Sequence, residues 1–143
     1  MSFRCLLLMS LVLFCGCGGE EAFRKSTSPV KGKVTVDGVA PGAVIQIQCN
    51  PVGGLDATHP TASSTETDPE GNFQISTYNS GDGVPAGEYT LTFAWQEFSL
   101  LSRQYSGPDK LNDRYSDPAT STIKLTVKEG EELDMGLIAL TTE

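Results

Sequence analysis

The sequence predicts an all-β protein, a seven-stranded antiparallel Greek-key β-sandwich. Three observations point there. After Pro29, apolar residues recur at every second position in most segments. Turn chemistry separates these segments at short intervals. No stretch of the same region places apolar residues at i, i+3, i+4 and i+7 over three turns.

The strands follow in order. Val30, Val34 and Val36 share one parity, with Lys31, Lys33, Thr35 and Asp37 on the other. Ile45, Ile47 and Cys49 alternate with Gln46, Gln48 and Asn50. Residues 63–68 are polar and Thr-rich, which suits an edge strand. Phe73 and Ile75 alternate with Asn72, Gln74 and Ser76. Tyr89, Leu91, Phe93 and Trp95 form the longest apolar face, and Ile123, Leu125 and Val127 repeat the pattern. Such alternation describes strands with one wet face and one buried face. The seventh strand, 133–140, changes parity after Leu137, and a bulge or twist would reconcile it. Asp37-Gly38, Pro41-Gly42 and Asp68-Pro69-Glu70-Gly71 supply turns, with Pro69 presetting φ and Gly71 tolerating a positive one. Residues 79–87 (NSGDGVPAG) read as loop throughout, and Tyr89 after Gly87 matches the tyrosine corner of sandwiches.

Length and charge narrow the class. The chain has 143 residues and a net charge of −8, enough for one domain with a tail. Nucleic acid is disfavoured as a partner, because binding a polyphosphate needs a concentrated basic face, and Arg24-Lys25 is the longest basic run.

Residues 1–16 have the anatomy of an export signal: Arg4, then a twelve-residue apolar run from Cys5 to Gly16. That run is shorter than the ~20 residues a spanning helix needs. Phe14-Cys15-Gly16-Cys17 resembles a bacterial lipobox, which implies cleavage after Gly16 and acylation of Cys17 as the new N-terminus. One acyl chain gives only marginal attachment, so the diacylglycerol and amide-linked chains of such lipoproteins imply a permanent anchor. Gly18 follows, where aspartate would resemble an inner-membrane retention signal, so the outer membrane is favoured. Residues 17–28 then read as the lipidated N-terminus and a flexible tether, and 29–143 as the sandwich. With Cys17 acylated, Cys49 has no disulfide partner and reads as a small buried apolar residue.

The motifs "VKGKVTVDGVAPGAVIQI", "TETDPEGNFQIS" and "PAGEYTLTF" resemble, in order and spacing, the carboxypeptidase regulatory-like domain of the transthyretin-like (prealbumin-like) sandwiches. The likeness covers about Val30 to Trp95. "DRYSDPATSTIKLTV" is similar to the last third of small bacterial lipoproteins carrying this domain. The segment 96–120 departs as a long loop between strands, and is the expected seat of individual function.

No catalytic constellation is read. His59 is the single histidine, too few for the metal chemistry of related sandwiches, and no G-x-S-x-G elbow accompanies it. Asp109, Asp113 and Asp117 in the long loop are weak candidates for a hard cation, which wants six to eight converging oxygens. Arg103, Tyr105, Arg114 and Tyr115 are the candidate binding-loop residues, since amphipathic side chains in loops favour contact surfaces. The expectation is a non-enzymatic lipoprotein, without cofactor, anchored in the cell membrane or outer membrane and facing periplasm or exterior. It would contact an envelope protein or polysaccharide. A carbohydrate-binding module and a structural spacer in an envelope complex are the alternatives.

Overall fold

Alternating apolar residues become sheet faces in the computed structural model, which describes residues 22–143. Eleven β elements are present: β1 (Thr27–Ser28), β2 (Val30–Val36), β3 (Gln46–Pro51), β4 (Ser63–Glu66), β5 (Asn72–Gln74), β6 (Val84–Pro85), β7 (Gly87–Ala94), β8 (Glu97–Ser99), β9 (Gln104–Ser106), β10 (Lys124–Val127) and β11 (Leu133–Leu140). One sheet has the order β10-β7-β3-β4 and another β11-β2-β5, while β1-β6 and β8-β9 are two-stranded. Among the described residues there is no helix.

The two larger sheets share one core. Val30, Val34 and Val36 meet Ile45, Ile47, Cys49, Leu91, Phe93, Leu125 and Leu140 there, all buried. The molecule is thus all-β, with several antiparallel pairings and an arrangement consistent with a β-sandwich. The proposed lipidation residue, Cys17, and the signal segment lie outside the described residues.

One departure concerns pairing. The antiparallel expectation fails at one place: β11 runs parallel to β2, from Leu133↔Val30 to Leu140↔Val36. Parity reports which face a residue occupies but carries no direction, so the sequence pattern is silent on this. The register shifts between Asp134 and Leu137, where Gly136 takes φ 66°. This bulge moves Leu137 into solvent and turns Ile138 and Leu140 inward, as the parity change required.

Turns hold the frame. Asp37 and Gly38 both have positive φ, and Val36 and Val39 exchange backbone hydrogen bonds across them. Gly71 has φ 89°, and a Cβ there would stand 2.0 Å from the Val34 carbonyl oxygen, so only glycine fits. Asp68 accepts from the Asn72 backbone N–H at 2.7 Å and from its Nδ2 at 2.9 Å. Residues 79–87 are not loop throughout, since pairing with Thr27–Ser28 makes β6 of Val84–Pro85 and β7 begins at Gly87. Ahead of β6, Asp82 accepts from the N–H groups of Thr77, Tyr78 and Asn79. Tyr89 donates its hydroxyl to the Pro85 carbonyl at 2.8 Å, closing the tyrosine corner.

The expected tether is partly docked. Thr27–Ser28 pairs with Val84–Pro85, and buried Ser28 donates to the Lys128 carbonyl and accepts from Gly130 N–H. Lys25 donates its backbone N–H to the Tyr78 hydroxyl and pairs with Asp56 at 2.7 Å. Phe23 lies 4.0 Å from the His59 ring. The short polar stretch before Pro29 gave no periodic signal, because these contacts use single residues.

Candidate functional site

The chain between β7 and β10 divides into a finger and a plug. The finger begins where β7 ends. Trp95 donates its backbone N–H to Asp109 Oδ1 at 2.8 Å, and Lys110 N–H returns a bond to the Trp95 carbonyl at 2.9 Å. Gln96 Nε2 donates to the Gly107 carbonyl, and Lys110 pairs with Glu97 at 3.0 Å. The Lys110 ammonium also stands 5.4 Å from the Trp95 ring centroid. These contacts form a closed neck.

Beyond the neck, β8 and β9 make a two-stranded ribbon, paired Glu97↔Ser106, Phe98↔Tyr105 and Ser99↔Gln104. Phe98 and Tyr105 meet edge to face, with centroids 5.2 Å apart, a favourable arrangement for two ring quadrupoles. The turn is Leu100-Leu101-Ser102-Arg103, with Arg103 at φ 54°. Its side chains are unprotected: Leu101 is 100% exposed, Leu100 84% and Phe98 50%.

Tyr105, in the middle pair of this ribbon, is half-buried. Burial raises its pKa, and the neighbouring Glu66 carboxylate adds to the rise. A groove of about 630 Å³ lies on the outer face of the β10-β7-β3-β4 sheet. Gln46, Gln48, Ser64, Glu66, Thr92 and Ser116 line it. Both amide atoms of Gln46 are closed off from solvent without a hydrogen-bond partner.

The plug, residues 107–120, turns inward instead. Leu111 is wholly buried in the core, and its N–H donates to Asp109 Oδ1 at 3.0 Å. Tyr115 lies edge-on to Phe93, accepts from Thr141 N–H at 3.1 Å, and offers its carbonyl to Phe93 N–H.

The expected site residues therefore separate. Arg103 and Tyr105 belong to the finger. Arg114 is exposed on the plug, and Tyr115 is a packing residue of the same segment, so the four do not make one binding loop. The three loop carboxylates, weak candidates for a cation, take separate places. Asp109 is buried and holds two backbone N–H groups, Asp113 occupies a left-handed turn at φ 56°, and Asp117 accepts from Ala119 N–H. Among the described residues, no group of three or more His, Cys, Asp or Glu is placed to hold a metal. Cys49 is buried, and burial pushes its thiol up to about 12, which withholds the thiolate a nucleophile requires. His59 stacks on Phe23, and its backbone N–H bonds to Asp56.

Sequence reasoning missed Phe98, Leu100 and Leu101 as a set. An apolar pair beside Ser102-Arg103 inside a polar stretch was the available signal.

No family model matches the chain, and no curated protein matches it. Among solved structures it is similar to a 9R-lipoxygenase from Cyanothece PCC8801, at 14% identity and a TM-score of 0.37. That likeness covers 85% of this chain and 18% of the lipoxygenase, so the chain spans less than a fifth of that protein's length.

Proposed function

We propose that the protein is a non-catalytic envelope lipoprotein, anchored through acylated Cys17, that contacts a further envelope component through its finger. The finer fold assignment belongs to the same proposal. The seven strands of the two larger sheets form the Greek-key sandwich of a carboxypeptidase regulatory-like domain, and the two two-stranded pairs are additions to it. The observation that supports the reading is the β8–β9 ribbon. It lies between two core strands in sequence, belongs to neither large sheet, and presents Phe98, Leu100 and Leu101 to solvent. Loops on a rigid scaffold are where binding residues concentrate.

A photoreactive residue at position 101, compared with one at exposed position 137, tests this in cells. Adducts with an envelope component at 101 alone are expected. Their absence at both positions would leave the spacer reading in its place. The anchor is tested separately: Cys17→Ser is expected to abolish fatty-acid labelling and release the chain from membranes.

A second reading has its own support. Gln46 and Glu66 line the groove, and both neighbour Tyr105 outside its lining, amide and carboxylate beside an aromatic ring, a donor–acceptor set suited to sugar hydroxyls. Unchanged tyrosine and tryptophan fluorescence across a glycan panel would remove the carbohydrate reading.

A further inference from the structure

We infer that the component the finger contacts is the bilayer itself: Leu100 and Leu101 insert at the surface of an anionic membrane. This rests on the anchored-lipoprotein reading above.

Shape comes first. The apolar tip is convex and stands on a ribbon only three residue pairs long, so a flat partner would leave much of it wet. Acyl chains deform around such a tip. Phe98 and Tyr105 form an aromatic pair behind the two leucines, in the order seen at membrane interfaces, where amphipathic rings occupy the headgroup level.

Charge is the second argument. The chain carries a net charge of −8, yet Phe98 to Pro108 contains no carboxylate and one cation, Arg103. The flanking acids are neutralised or withdrawn: Glu97 pairs with Lys110, and Asp109 is buried against two N–H groups. Glu66 stands beside Tyr105, one residue pair back from the last pair before the turn. The tip is thus a local positive, apolar point on an acidic protein, complementary to anionic headgroups.

Reach agrees. Cys17 precedes residue 22 by five residues, at most ~18 Å of extended chain. The docked segment joins near the start of β7 through β1 and β6, and the finger leaves from its end. β7 has eight residues, ~27 Å at strand rise. Lying along the membrane, the domain can set both its N-terminal end and its finger on one surface. Two leucines alone bind weakly, but an anchor makes the second contact intramolecular and raises its effective concentration.

The test uses the full acylated chain in vesicles of phosphatidylglycerol and phosphatidylcholine with brominated acyl chains. The added tryptophan of Leu101→Trp is expected to lose about half or more of its emission, as burial at interfacial depth requires. The comparison variant Leu137→Trp, at an exposed leucine of the other large sheet, should lose none beyond the Trp95 background. In parallel, Leu100→Ser with Leu101→Ser in the Cys17→Ser chain should lower vesicle partition by roughly tenfold per leucine. Unquenched emission at 101 in a chain that is acylated and vesicle-bound would overturn the insertion, as would a protein adduct as the sole crosslink from that position. Failure of anchoring reads differently: Cys17→Ser would then leave labelling and membrane release unchanged, whatever the quenching shows.

Discussion

Residues 97–106 and 107–120 are neighbours in one stretch between β7 and β10, and they behave as opposites. The first projects Leu100 and Leu101 into solvent. The second buries Leu111 completely and uses Asp109 to hold the backbone of Trp95 and Leu111. The difference shows that a long inter-strand segment can be half appendage and half core. Its two tyrosines illustrate this: Tyr105 pairs with Phe98 on the finger, whereas Tyr115 packs on Phe93.

Substitutions can break or sharpen that contrast. The largest effect is expected at Leu111→Ala, which opens a cavity in the shared core and should cost about 2–5 kcal/mol in denaturant unfolding. A cost as small as that of a surface change would return the plug to the status of a loop. Next comes Asp109→Ala, which strips the acceptor from two N–H groups at the neck. A loss of about 1–3 kcal/mol is expected. Chemical shifts of Trp95 and Leu111 amides should move with it.

Tyr115→Phe is a smaller probe. It removes the acceptor for Thr141 N–H but keeps the ring on Phe93, so about 0.5–1.5 kcal/mol is expected. A larger loss would mean that the C-terminal tail depends on this contact more than its geometry implies.

Acid should act on the frame and leave the finger aside. Asp37, held by the hydroxyl and N–H of Thr142, has a pKa below the usual carboxylate range, and so does Asp68, held by Asn72. Burial works against the ionised form of Asp82, yet the N–H groups of Thr77, Asn79 and Tyr78 keep its pKa low as well. A depressed native pKa contributes stability that is present above the unfolded value of ~3.9 and lost as pH falls through the native one. Tm should therefore hold from pH 7 to about 5 and drop below about 4. The drop should be smaller in Asp82→Asn, and an unchanged profile in that variant would remove Asp82 from the account.

Much of this frame could be read from the sequence. Alternation located the buried faces of β2, β3, β7 and β10, and Asp-Gly and Pro-x-Gly runs located turns, because both signals are local. The parallel β11–β2 pairing could not be read, since direction is decided by how the chain crosses the core. Nor could the plug: Leu111 is one apolar residue among Lys110, Asn112 and Asp113, with no period to reveal that it is buried. The exposed finger was legible only in part: the Leu100-Leu101 pair stands out in a polar stretch, but the sequence does not say whether an apolar pair will be covered. Of the four candidate loop residues, Arg103 and Tyr105 fell on the finger because sequence proximity sufficed there, whereas the partners of Tyr115 lie in β7 and the C-terminal tail.

The most direct measurement is thermal unfolding of the full chain with residues 98–105 replaced by a short Gly-Ser link. If the finger is an appendage on a self-sufficient sandwich, Tm should stay within about 2 °C of the native chain, as surface changes do. A fall matching that of Leu111→Ala would contradict it and make the finger part of the core.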